Sequence, residues 1–91
     1  MPLFDFHPDK SQANKAKHGI DFEAAQELWN DQNAITGKAK TVEGEERFYR
    51  TGSIGKKQWT AIFTWREGKV RFISVRRPHR SEQVTYDRRG V

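Results

Sequence analysis

The spacing of apolar residues changes along the chain from a helical period to a period of two, so helices are predicted first and a sheet after them. Phe4-Asp5-Phe6 alternates apolar and polar and predicts a short edge strand. Pro8 suits the first turn of a helix, where its missing N–H costs nothing. That helix runs through Ser11, Ala13, Ala16 and Lys17 until Gly19 stops it. Asp21 is the expected N-cap of a second helix, in which Phe22, Ala25, Leu28 and Trp29 recur at helical spacing and face the core. Asn30-Asp31 closes it.

From Ala34 onward Thr and β-branched residues replace Ala, Gln and Glu, and turn signals arrive at hairpin intervals. Strands are predicted near residues 34–41, 46–52, 58–66 and 70–76. They are joined by Val42-Glu43-Gly44-Glu45, by the run from Gly52 to Lys57, and by Glu67-Gly68-Lys69. Connections this short force antiparallel pairing. Simple alternation puts Trp59, Ala61, Phe63 and Trp65 on one face of the third strand, where they read as core. On the fourth it groups Phe72 with Ser74 and Arg76, and Arg71 with Ile73, Val75 and Arg77. Both faces carry apolar residues, so helices are expected over one and a cleft over the other. Ser81 is read as the cap of a short last helix reaching Tyr86. The fold class is therefore α+β: two N-terminal helices, an antiparallel sheet of about four strands and a short C-terminal helix.

Composition limits what this architecture can do. A length of 91 residues predicts one domain spanning 1–91. Hydrophobic residues are 34% and charged ones 32% of the chain, so the core is thin, and the six Phe, three Trp and two Tyr must supply much of its area. The absence of Cys excludes a disulfide framework, a thiolate metal site and a Cys nucleophile. No apolar run approaches the roughly 20 residues of a membrane span, and the start Met-Pro-Leu-Phe-Asp lacks a signal-peptide layout. A cytoplasmic protein with no membrane partner is expected.

Charge sharpens the picture. The net charge is +5, but residues 1–45 hold five basic and eight acidic side chains, giving −3, while residues 46–91 hold twelve and four, giving +8. A domain polarised in this way draws a polyanion toward its second half, which suits nucleic acid; solubilising surface charge is the plain alternative.

Three segments carry a family resemblance. Asn14-Lys15-Ala16-Lys17-His18-Gly19 followed by Asp21-Phe22-Glu23-Ala24-Ala25 resembles the N-terminal signature of the BrnT family. Gly44-Glu45-Glu46-Arg47-Phe48 with the Thr51-Gly52 turn resembles its central motif. The run from Arg71 to Arg77, with Glu82 and Tyr86, resembles its closing one. The resemblance implies a fold like the RelE-type ribonucleases, a toxin role in a two-gene toxin–antitoxin pair, and neutralisation by a BrnA-like antitoxin. It also implies that toxin and antitoxin together bind their own operator DNA.

The residues supply candidate chemistry. RNA carries its own nucleophile, the 2′-OH, so cleavage without metal or other cofactor needs a group to take that proton, a cation to steady the phosphorane and an acid for the 5′-oxygen. Arg76 is the first candidate cation because it shares a strand face with Ser74, with Arg77 held as phosphate-binding. Glu45 and Arg47 project to the same side if they begin the second strand, giving either a base beside a phosphate clamp or an ordinary surface ion pair. Lys17 and His18 end the first helix, where the helix dipole favours cations in any case; an imidazole suits His18 to proton transfer near neutrality. Arg66, Arg71 and Arg80 are expected to add field and backbone contacts, and Tyr86 to stack on a base, donate a proton or simply pack.

A metal site has little support, since His7, His18 and His79 show no ligand spacing and Glu43, Glu45 and Glu46 form a loop cluster without a partner motif. The expected activity is a metal-independent endoribonuclease that arrests translation and growth. Two non-enzymatic readings stay open: a basic module that binds nucleic acid without cutting it, and a docking face for an acidic partner.

Overall fold

Hairpin-length connections build the second half of the chain into one sheet, and the first half supplies the layer that covers it. The computed structural model describes residues 1–89, so the last two residues of the expected 1–91 domain lie outside the described ones. In chain order the elements are β1 (Phe4–Asp5), α1 (Pro8–His18), α2 (Phe22–Ala25) with a 3₁₀ segment Gln26–Asn30, β2 (Ile35–Lys38), β3 (Phe48–Ile54), β4 (Lys57–Arg66), β5 (Lys69–Arg76) and α3 (Arg80–Arg89). The fold is α+β, with sheet order β1-β5-β4-β3-β2.

Strands β2 to β5 pair antiparallel, as their connections demand. The sheet is nevertheless mixed and five-stranded, because β1 joins the free edge of β5 in parallel, with Phe4 opposite Val70 and Asp5 opposite Arg71. Both N-terminal helices and strands β2 to β4 lie between these two strands in sequence, so no hairpin fixes their relative direction.

The helix starts follow from local chemistry. The Nδ1 of His7 accepts the Asp9 N–H at 3.1 Å, with Pro8 at the first position, and Asp21 Oδ1 accepts the Ala24 N–H at 2.8 Å. The predicted second helix is shorter than its pattern suggests, tightening to 3₁₀ after Ala25. At its end the Nε of Arg50 donates to the Leu28 carbonyl at 3.1 Å, satisfying one of the carbonyls that a helix terminus leaves open. The last helix begins at Arg80 rather than being capped by Ser81. A Glu82 oxygen accepts the His79 N–H at 2.7 Å, the reach-back half of a capping box with His79 as the cap, and the helix continues past Tyr86 to Arg89.

The core lies between the sheet and the α1–α2 layer. Ile20, Phe22, Ala25, Leu28, Trp59, Ala61, Phe72 and Val75 form it, with Phe4, Phe6, Trp29 and Ile54 packed around them. Phe72 is its aromatic centre, stacked on Phe22 and Phe4 at centroid distances of 5.3 and 5.6 Å and edge-on to Trp29 at 5.7 Å. The third and fourth strand faces differ from simple alternation in two ways. Trp65 is 50% exposed rather than core, at the strand end beyond the helical layer. In β5 the register shifts between Ile62 and Phe63 of its partner, so Ser74 pairs with Ile62 and Phe72 with Phe63, leaving Ile73 as the extra residue of a β-bulge. Phe72 and Val75 therefore both point into the core, and Phe72 does not share the face of Ser74 and Arg76 as alternation predicts.

Candidate active site

The bulge decides which side chains meet on the open side of the sheet. Ala61, Phe72 and Val75 face the helices, so the pairs Thr64–Arg71, Ile62–Ser74 and Thr60–Arg76 lie on the opposite face. Helix α3 covers one end of that face, over the buried Thr51 and Thr60, whose hydroxyls meet at 2.7 Å. The other end stays open as two adjoining grooves that share Lys10 and Ile73.

The first groove, of about 310 Å³, is lined by Lys10, Ala13, Asn14, Lys17, His18, Ile73 and Ser74. Asn14 fixes this geometry. It is buried, its Nδ2 donates to the carbonyls of Ile20 (2.8 Å) and Val75 (2.9 Å), and its Oδ1 accepts the Val75 N–H at 3.1 Å. Asn14 thereby pairs both backbone groups of a β5 residue and holds the last turn of α1 beside the bulge. Lys17 and His18 are thus placed next to Ser74 by sequence-distant contacts as well as by the helix itself.

The second groove, of about 280 Å³, is lined by His7, Lys10, Glu45, Arg47, Thr64, Arg66, Arg71, Phe72 and Ile73. A two-residue turn aims Glu45 into it: Val42 and Glu45 exchange backbone bonds of 3.1 and 2.9 Å around Glu43 and Gly44, both at positive φ. Glu45 and Arg47 precede β3 rather than beginning it, yet they still meet. Glu45 Oε1 lies 3.5 Å from Arg47 Nε, and Oε2 lies 3.6 Å from Arg66. Thr64 donates to the Glu46 carbonyl and the Ala39 N–H to the Arg47 carbonyl, both at 2.8 Å, which pins the backbone on either side. Arg47 Nε is buried and makes no hydrogen bond, the Glu45 oxygen standing 3.5 Å away as an ion-pair partner. Arg71 reaches Asp5 at 2.7 Å. Lys10, Arg47, Arg66 and Arg71 thus line a groove in which Glu45 is the one lining carboxylate, with Arg71 already paired to Asp5.

Arg76 sits at the α3 side of the open face. It grips Glu82 with both terminal nitrogens, at 2.8 and 3.1 Å, in the bidentate geometry that suits a planar anion. Burial pushes the Glu82 carboxyl upward, but the bonds from Arg76, the His79 N–H and Thr60 outweigh it and hold it below the ordinary carboxylate range. Arg77 projects to the other face, its guanidinium 5.3 Å from the centroid of Trp59, so the two arginines do not converge. Arg80 opens α3 and is exposed. Tyr86 donates to Asp31 at 2.6 Å and meets the Ser53 hydroxyl at 2.9 Å, so its phenol fastens α3 to the sheet.

Sequence reasoning missed His7 and Lys10 as groove residues, because nothing local shows that the start of α1 lies beside β5. It also passed over Arg50, half-buried, bonded to the Leu28 and Asp31 carbonyls and stacked 5.2 Å from Trp29. Among the described residues no group of three or more His, Cys, Asp or Glu is placed to hold a metal, and no helix is long and apolar enough to cross a membrane.

A small α+β domain whose open sheet face carries an arginine-rich groove defines a polyanion-handling protein. Residues 6–82 match the family described as "Ribonuclease toxin, BrnT, of type II toxin-antitoxin system". The chain belongs to that family: a ribonuclease toxin that acts on RNA and is partnered by an antitoxin. No match is found among curated proteins.

Proposed function

We propose that the two adjoining grooves form one active site that cleaves RNA through its own 2′-OH without a metal. The observation that carries this reading is the second groove, which Lys10, Arg47, Arg66 and Arg71 line together with Glu45. A phosphodiester supplies the planar oxygen pair that such donors bind best.

In this reading Arg47, Arg66 and Arg71 hold the scissile phosphate, with Arg76 and Ser74 on the same face binding its neighbour. The 2′-oxygen attacks phosphorus, its proton passes to a wall group, and the P–O5′ bond breaks as the 5′-oxygen gains a proton. The products are a 2′,3′-cyclic phosphate and a 5′-hydroxyl. His18 and Glu45 divide the two proton transfers, and Lys17 adds positive charge against the phosphorane. Arg80 extends the field; Arg77 and Tyr86, turned away from the grooves, contribute through the fold. No cofactor enters this scheme.

We infer further that the toxin acts in the cytoplasm, where its RNA substrate is translated, and that its cleavage arrests growth. A BrnA-like antitoxin neutralises it, and their complex binds operator DNA; the basic second half of the chain supports both contacts. The test is cleavage of labelled RNA by the purified toxin in EDTA. Wild type shortens the RNA, while Arg47→Ala and His18→Ala, with unchanged circular dichroism, do not. Intact RNA with the wild type favours a binding module, and activity restored only by added metal overturns the metal-free scheme.

A further inference from the structure

A third cavity, of about 240 Å³, lies between the sheet and α3, lined by Ile35, Tyr49, Thr51, Ser81, Glu82 and Thr85. It is separate from the two grooves, and no step of the cleavage scheme uses it. Its volume falls below the roughly 300–1,000 Å³ of pockets that take drug-sized ligands, which suits one planar ring system.

Tyr49 lines it from the sheet side. The ring lies across its cross-strand partner Gly37, and a Cβ at position 37 would come within 2.7 Å of the ring carbons and hydroxyl. Glycine at this position is what lets the ring lie down on the sheet. The walls are suited to an aromatic ligand: Ile35 is apolar, Ser81 presents a hydroxyl, and the Thr51 and Thr85 hydroxyls are already engaged by Thr60 and the Ser81 carbonyl. Glu82 forms the wall toward Arg76, which it holds at 2.8 Å. The cavity is thus one side chain away from a guanidinium that faces the phosphate path.

We propose that this cavity is a nucleobase subsite, in which a base of the RNA bound at Arg76 stacks on Tyr49. The proposal rests on the RNA-cleaving reading of the adjoining grooves. The engaged hydroxyls leave little for reading a base edge, so the subsite takes its base by stacking and discriminates weakly among bases.

The test uses short fluorescent RNAs made uncleavable by 2′-O-methyl sugars, in which each position in turn is made abasic, and reads affinity by anisotropy. Wild type loses roughly 5- to 150-fold at one position, the span expected for loss of one base–aromatic stack. Tyr49→Ala binds the parent RNA more weakly and is insensitive to the abasic change at that position, while Tyr49→Phe behaves as wild type. Thr85→Trp, placed at an exposed helix position so that its ring fills the cavity, reproduces Tyr49→Ala without replacing a sheet residue. An abasic profile unchanged in Tyr49→Ala and Thr85→Trp overturns the subsite, as does a flat profile in a wild type that binds RNA. A wild type that binds none of these RNAs overturns the RNA-cleaving reading with it.

Discussion

Asn14 of α1 holds both the carbonyl and the N–H of Val75, at 2.9 and 3.1 Å, so one helical side chain pairs with a strand residue as a neighbouring strand would. That contact ties the turn carrying Lys17 and His18 to the bulged strand carrying Ser74 and Arg76. Asn14→Ala leaves both Val75 groups buried and unpaired, and it is expected to cost about 1–3 kcal/mol of stability. Urea unfolding measures the loss. RNA cleavage, assayed where the variant remains folded, should fall because His18 is no longer fixed; full activity would show that this clamp does not position the site.

The placement of the arginines predicts different salt dependences. Arg66 lines the open groove and makes only a 3.6 Å ion pair with Glu45, a contact worth little in water. Arg66→Gln should lower the slope of log affinity for RNA against log salt by about one while the fold is retained. Arg77, stacked on Trp59 on the other face, should leave that slope unchanged when replaced by Ala. Equal effects of the two substitutions would contradict the assignment of faces.

Glu82 neutralises Arg76 and also caps α3 through the His79 N–H. Glu82→Gln removes the charge and keeps an oxygen for the cap. RNA should then meet an uncompensated guanidinium and bind with a salt slope steeper by about one. Stability should fall, because the charge-assisted pair is lost. An unchanged slope would mean that Arg76 lies off the RNA path.

Helix α3 has no fully buried side chain among its described residues and is held by polar contacts, which makes its attachment pH-dependent. Asp31 resembles Glu82: burial raises its carboxyl, but bonds from Tyr86 and the Ser53 and Asn33 N–H groups, with the charge of Arg50, bring it below its ordinary value. Both groups have folded pKa values depressed below the unfolded ones. Their stabilisation is therefore complete above the unfolded pKa, about 4, and is lost as pH falls through the folded values. Denaturant midpoints measured between pH 7 and pH 2 should fall in this acid range, and Tyr86→Phe, which removes a bond to Asp31, should reduce the drop. A midpoint insensitive to pH below 4 would contradict the role given to these carboxylates.

Local pattern made much of this fold legible. The Pro8 to Gly19 helix, the four antiparallel strands and the short turns follow from residues close in sequence. The meeting of Glu45 with Arg47 was also legible, since residues two apart in an extended chain project to the same side. The bulge at Ile73 was not, because period two assumes that every residue pairs, and the extra residue reveals itself only through its partner strand. The same long-range logic hid the parallel β1, the exposure of Trp65 and the burial of Arg50 against Trp29. Charge pointed to the second half of the chain, which supplies Arg47, Arg66 and Arg71 to the grooves, but not to Lys10, Lys17 and His18 from the first half. The division of its arginines between two faces depends on the bulge and could not be read from charge.

The account stands or falls on how the phosphodiester is broken. Mass spectrometry of the fragments formed by the purified toxin in excess chelator identifies the new ends directly. The account predicts 2′,3′-cyclic phosphate and 5′-hydroxyl termini, with no cleavage at a position carrying a 2′-deoxy sugar. Fragments ending in 3′-hydroxyl and 5′-phosphate, or cutting at the deoxy position, would contradict it.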